Sequence, residues 1–207
     1  MKSLFFFTFL LIAFYCCAQK SPVTDLDKFA QKLSDGTRKQ KTIESDFIQY
    51  KEMEIMEETL TSSGKFYFRD DDVVSLKYTS PEPYLIVVNG EKVKIETNGK
   101  KNIYNTSSNP MVTTMQSMFS ACLSGDFTRS KDYALAVFQD DSGYLIEIEP
   151  QNRKIKKYIQ KIEVIFDKND FSVNQLIVRE PSGDFTKHVF FNKKFNTPLS
   201  DQLFEIK

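Results

Sequence analysis

The sequence has no tryptophan, one histidine, three cysteines, seven glycines and seven prolines in 207 residues. Each shortage removes a class of function. The one histidine, His188, has no acid and nucleophile patterned around it, so hydrolase triads and histidine-rich metal sites lack their residues, and it reads as structural. Cys16 and Cys17 fall within the first 18 residues, which leaves Cys122 alone in the rest of the chain. No internal disulfide can then form there, and the core is held by burial. Cys122 sits in an apolar run without a basic neighbour and reads as a small buried hydrophobe. Basic and acidic side chains balance at 28 each, with no block of one sign, which leaves a nucleic-acid binder working by phosphate neutralisation a weak option. Ser182-Gly183 lacks the Gly-x-Ser-x-Gly elbow, and Asp70-Asp71-Asp72 lacks the spaced oxygens of a calcium loop and reads as a hairpin turn. Neither a cofactor nor an enzymatic reaction is expected.

What the chain does have begins with an address. Lys2 precedes an apolar stretch from Leu4 to Phe14 that ends in Cys16-Cys17-Ala18. This is the pattern of a secretory signal peptide over residues 1–18, cleaved after Ala18, with the mature chain starting at Gln19. Lipidation needs a small residue before the modified cysteine, whereas Tyr15 precedes Cys16 and Cys16 precedes Cys17. Soluble export is therefore favoured over a lipid anchor. Removing the leader takes away Lys2 and no acid, so the exported part stays nearly neutral.

Residues 25–40 place Leu26, Phe29, Ala30 and Leu33 at helical spacing, with Thr24 as the expected N-cap. From Ile43 onward, short runs rich in Phe, Tyr, Ile and Val read as strands over 43–56, 59–69, 73–79, 84–89, 92–97, 101–105, 133–139, 143–149, 159–167, 173–180 and 184–192. Tight-turn signals such as Asn89-Gly90, Asn98-Gly99 and Pro181-Ser182-Gly183 separate them, so consecutive strands run antiparallel. Between two groups of strands, Pro110 opens a second amphipathic segment in which Met111, Met115, Met118, Phe119 and Cys122 recur at helical spacing before Gly125. The basic stretch Arg153, Lys154, Lys156 and Lys157 reads as a solvated loop. No linker composition interrupts residues 19–207, which read as one domain.

Several strands alternate apolar with polar, as in Leu76-Lys77-Tyr78 and Ile162 to Phe166, so the sheet should have one apolar and one wet face. Accumulated twist curls so many strands toward a barrel or half barrel. Its interior is either filled by side chains or keeps room for an apolar guest. The methionine-bearing segment suits variable apolar shapes, although methionine also fills ordinary cores.

The order of these features resembles the family of periplasmic outer-membrane lipoprotein carriers, LolA. The resemblance is carried by Ile43 to Gln49, Ser63 to Arg69, Leu76 to Pro83, Tyr84 to Gly90, Ile162 to Asp167 and Asn196 to Phe204, behind a leader and with a helix inserted between strand groups. It implies a mainly β fold with α: an incomplete, strongly curved antiparallel β-barrel whose helices form a lid over an apolar cavity. It implies no catalysis, a periplasmic location and a chaperone that carries acylated lipoproteins from the inner to the outer membrane. The partners so implied are an inner-membrane ATP-driven complex that releases the lipoprotein and an outer-membrane acceptor, and the chain is expected to be a monomer. The rival readings are a same-fold sensor or protein-binding module, and a lipid-anchored acceptor if Cys16 or Cys17 is acylated.

Combining strand alternation with that resemblance, the expected cavity wall is Phe66, Phe68, Leu76, Tyr78, Ile86, Val88, Ile146, Ile148, Val164 and Phe166. Met111, Met115, Met118 and Phe119 are expected on the lid. The resemblance also implies an arginine latch holding the lid closed, for which Arg69 is the candidate, with Asp70 next to it. A slip of one residue in any strand would turn its set to the other face.

Overall fold

In a computed structural model, residues 20–70, 73–108 and 133–207 are described. The leader, Asp71, Asp72 and the segment holding Met111, Met115, Met118, Phe119 and Cys122 lie outside the described residues. Twelve antiparallel strands form one sheet: β1 (Ser21–Pro22), β2 (Thr42–Met53), β3 (Glu58–Arg69), β4 (Val73–Ser80), β5 (Tyr84–Asn89), β6 (Lys92–Thr97), β7 (Lys100–Asn105), β8 (Tyr133–Gln139), β9 (Gly143–Pro150), β10 (Lys161–Asp167), β11 (Val173–Arg179) and β12 (Phe185–Phe195). Their spatial order is β1-β8-β9-β10-β11-β12-β2-β3-β4-β5-β6-β7. The chain thus makes two meanders, joined where β12 lies beside β2. The sheet is curved and not closed, with β1 and β7 at its two edges, as the strand count and turn chemistry led one to expect.

The turns follow from their residues. Asn98 and Gly99 both take positive φ, 51° and 75°, which is the two-residue connection whose twist matches the flanking strands β6 and β7. At Gly64 the β3–β4 ladder slips by one residue, and a Cβ there would stand 2.1 Å from the Lys77 carbonyl oxygen. Only glycine lets the two backbones approach this closely.

Helix α1 (Leu26–Thr37) starts at Asp25, whose carboxylate accepts the Lys28 N–H at 3.0 Å, so the cap is Asp25 and not the expected Thr24. Its buried stripe of Phe29, Ala30 and Leu33 packs into the main hydrophobic cluster. The helix lies against β9 and the β10–β11 turn. Lys32 Nζ donates to Tyr144 Oη at 2.9 Å, the Phe29 and Tyr144 rings are 4.9 Å apart, and Gln40 Nε2 donates to the Asp170 carbonyl at 2.6 Å. Burying Phe29 and Leu33 contributes roughly 2–3 kcal/mol each, which anchors the helix across the concave side.

Two expectations need correction. The outer face is not uniformly wet, because a 3₁₀ turn at Asp201–Phe204 folds back over it and buries Phe204 with Tyr67 and Val73 in a second hydrophobic cluster. Asn89 Nδ2 holds this turn by donating to the Phe204 carbonyl at 3.1 Å. The stretch expected as a solvated basic loop forms a one-turn helix, α2 (Arg153–Lys156), because the Asn152 side chain caps it through the Lys154 N–H. Elsewhere the outer face carries ion pairs across strands, Arg179 with Glu163 at 2.9 Å and Lys161 with Glu147 at 3.2 Å.

Candidate functional site

Strand register decides which side chains share the inner face. Reading outward from β2, one row runs Ile43, Phe68, Val74, Val88 and Val93, and the next runs Ser45, Phe66, Leu76, Ile86 and Ile95. A third runs Phe47, Gly64, Tyr78, Tyr84 and Thr97. In the other meander Ile146 pairs with Val164 and Val164 with Leu176, while Ile148 pairs with Ile162 and Ile162 with Val178. Tyr144 pairs with Phe166 in the neighbouring row. The ten wall residues named from the sequence therefore share one face of the sheet. Nine of them, all but Val88, belong to the main hydrophobic cluster or pack against it.

They do not all meet at one place. Phe66, Phe68 and Phe166 line an internal cavity of about 50 Å³ between the end of α1 and the inner face, together with Thr37, Gln40, Ile43, Ser45, Phe171, Ser172, Val173, Phe190 and Lys193. Ile146, Ile148 and Val164 are fully packed in the core under α1 and away from that cavity. Leu76, Ile86 and Val88 are half-buried on the meander that leads to the β7 edge. The cavity itself is far smaller than the roughly 300–1,000 Å³ of an ordinary small-molecule pocket. Two larger open grooves, of about 510 and 470 Å³, flank the C-terminal turn; the first reaches Tyr78 and Tyr84, and the second holds Arg69 and Ile103.

A polar cluster around His188 interrupts the apolar face. His188 stands opposite Gln49 and Leu176, with Nε2 3.4 Å from Tyr78 Oη. The Tyr78 hydroxyl donates to Gln49 Oε1 at 2.6 Å, and the Tyr78 ring stacks on Tyr84 at 3.9 Å. Burial pushes the His188 pKa down to about 4, so the imidazole is neutral above that pH, and His188 Nδ1 has no hydrogen-bond partner. Burial, with the neighbouring Tyr84, also raises the Tyr78 pKa above its ordinary range. Among the described residues, no group of three or more His, Cys, Asp or Glu is placed to hold a metal ion, and no helix is long and apolar enough to cross a membrane.

The segment that a latch at Arg69 would hold lies outside the described residues, but the position of Arg69 itself is clear. Alternation from Phe68 turns Arg69 to the outer face, where Nη1 donates to Asp201 Oδ1 at 2.7 Å and the guanidinium stacks over Phe204 at 4.8 Å. Among the described residues, Arg69 clamps the C-terminal turn through Asp201 and Phe204. Its neighbour Asp70 pairs with Lys41. Sequence reading missed two cavity residues that matter chemically, Ser45 and Lys193. Ser45 shares a face with Ile43 and Phe47 by plain alternation, so period two was the signal that could have found it; Lys193 lies on the inner side only because β12 slips register between Phe191 and Lys194.

The family described as outer membrane lipoprotein carrier protein LolA matches the chain over residues 38–207. The chain belongs to the LolA family. An outer-membrane lipoprotein carrier protein of Pseudoalteromonas translucida (strain TAC 125) is 23% identical over 183 residues, covering 85% of this chain and 81% of that protein. Among solved structures, an uncharacterized conserved protein from Thermus thermophilus superposes with a TM-score of 0.50 at 13% identity, over 84% of this chain and 92% of the other. A LolA superfamily protein from Nitrosomonas europaea gives a TM-score of 0.45 at 11% identity, over 85% and 97%.

Proposed function

We propose that this LolA-family protein is a periplasmic carrier that shields the acyl chains of lipoproteins against its inner face and releases them without covalent chemistry. The single observation that carries this reading is the continuity of apolar side chains across one face, from Ile86 on β5 through Phe66 and Phe68 to Phe190, Val164 and Ile146. Each methylene withdrawn from water contributes about 0.8 kcal/mol, so such a face can hold an alkyl chain while the charged outer face keeps the complex dissolved. The role implies a leader cleaved after Ala18, an inner-membrane complex that loads the carrier and an outer-membrane acceptor that empties it.

Reversibility has a physical basis in the packing. The inner face is already covered in part by α1, so cargo must displace protein contacts, and only the difference in burial appears as affinity. The test uses the mature protein and a long-chain fluorescent lipid displaced by a triacylated lipopeptide. Leu76→Glu puts a charge on a half-buried part of the wall and should weaken displacement by about tenfold or more while the protein stays folded. Unchanged affinity in the folded variant removes Leu76 and its row from the binding surface.

A further inference from the structure

The slip in β12 changes what the inner face offers. Phe190 points inward opposite Phe47, and Phe191 points outward opposite Asp46. Plain alternation would then send residue 193 outward and 194 inward. Instead Asn192 adopts a left-handed φ of 53°, its side chain donates to Asp46 Oδ2 at 2.9 Å, and the next paired residues are Lys194 with Glu44 and Phe195 with Ile43. The extra residue reverses the parity, so Lys194 takes the outer face, where its ammonium lies 3.8 Å from Glu44, and Lys193 lines the internal cavity. A bulge with a non-glycine residue at positive φ costs strain, and here it serves to aim a lysine into an aromatic interior.

Opposite this bulge on β2 lies Ser45, whose pairing neighbours are Glu44 with Lys194 and Asp46 with Phe191. Ser45 is 1% exposed, lines the same cavity, and its hydroxyl has no hydrogen-bond partner. Lys193 Nζ donates to Ser172 Oγ at 2.8 Å and to Asn174 Oδ1, which leaves one N–H of the ammonium unspent. Among the described residues no carboxylate forms an ion pair with Lys193. The charged groups facing it are Asp167, which accepts from the Asn169 N–H and the Asn174 side chain, and Asp170, whose Oδ1 accepts from the Ser172 N–H. The cavity thus presents two unspent donors, one of them cationic, against the rings of Phe66, Phe68, Phe166 and Phe190. Donors at one end and hydrocarbon at the other fit an alkyl chain that ends in an acceptor-only anion.

We propose that Lys193 and Ser45 anchor the carboxylate of a long-chain fatty acid whose alkyl chain lodges among these phenylalanines. This rests on the reading of the inner face as an acyl-binding surface and names a ligand class for one end of it. The existing space of about 50 Å³ lies beside Lys193 and Ser45 and receives the head group. The chain itself enters by parting the aromatic rings.

The experiment compares palmitate, methyl palmitate, hexadecanol and a triacylated lipopeptide as competitors for a fluorescent lipid on the mature protein, its Lys193→Met and Lys193→Arg variants and Ser45→Ala. Palmitate should compete at least about tenfold better than its methyl ester or the alcohol, the worth of one charge-assisted hydrogen bond. Lys193→Met should erase that preference, Lys193→Arg should keep most of it, and Ser45→Ala should reduce it, each variant first being shown to unfold in urea as cooperatively as the wild type. If the wild type binds methyl palmitate as well as palmitate, or if folded Lys193→Met keeps the preference or folded Lys193→Arg loses it, the anchor is wrong. Lipopeptide binding without a palmitate preference overturns the anchor and leaves the carrier reading standing, whereas failure of every ligand to bind overturns both.

Discussion

At the scale of single residues, one buried imidazole and one carboxylate on the outer face shape the pH response of the fold. His188 has its folded pKa lowered to about 4 from an ordinary 6.5, because burial disfavours the imidazolium. A base with a depressed folded pKa binds its proton better when unfolded. The contribution is therefore complete above about pH 6.5 and is lost as the pH falls from there toward 4, for a total of about 3 kcal/mol. Urea unfolding at a series of pH values should show this decline, and His188→Leu should flatten it. Asp46 acts in a lower window. Its pKa is held below 3.8, first by the Asn192 side chain and then by Lys65, so its contribution is present above that value and disappears as the pH falls below it. Ser45 gives a prediction of opposite sign from most core changes. Its buried hydroxyl has no partner, so Ser45→Ala should leave the unfolding free energy unchanged or raise it by about 1 kcal/mol, whereas a drop of about 2 kcal/mol would mean the hydroxyl is satisfied.

At the scale of elements, the strands were largely legible. β5, β6 and β8 occupy the residues that alternation and turn chemistry assign to them, because Asn-Gly dipeptides and β-branched runs act locally. Register was legible for the same reason: with one face buried, Phe66 and Phe68 leave Tyr67 only the outer side. What stayed hidden depends on contacts far apart in sequence. Nothing in Leu199 to Phe204 shows that it will fold over Tyr67 and Val73, and no local signal marks Asn192 as a bulge that inverts the residues after it. The N-cap moved by one residue because Asp25 and Thr24 are both competent caps. Two substitutions test this level. Phe204→Ala should cost about 3–5 kcal/mol by opening the second cluster, read as a fall in the denaturant midpoint. Gly64→Ala drives a methyl into the Lys77 carbonyl, and a loss of about 2 kcal/mol or more is expected; a neutral result would mean that β3 and β4 separate without cost.

At the scale of the whole molecule, the fold resolves a conflict between solubility and a greasy interior by giving each its own face. The outer side spends its residues on ion pairs such as Arg179 with Glu163, and the inner side gathers apolar residues from both meanders beneath α1. The interior is neither the solid core nor the open hollow that alternation alone left open. It is packed under the helix, keeps a small cavity at the helix end, and grows more exposed through β5 toward the β7 edge. That gradient suits a carrier, since cargo enters most easily where the protein's own packing is weakest. The central claim is that acyl chains, and not the peptide, are what this face holds. Native mass spectrometry of the mature protein mixed with a triacylated lipopeptide or with the same peptide deacylated tests it most directly. The account predicts a saturable complex of one lipopeptide per chain and no complex with the bare peptide; equal binding of both, or of neither, would contradict it.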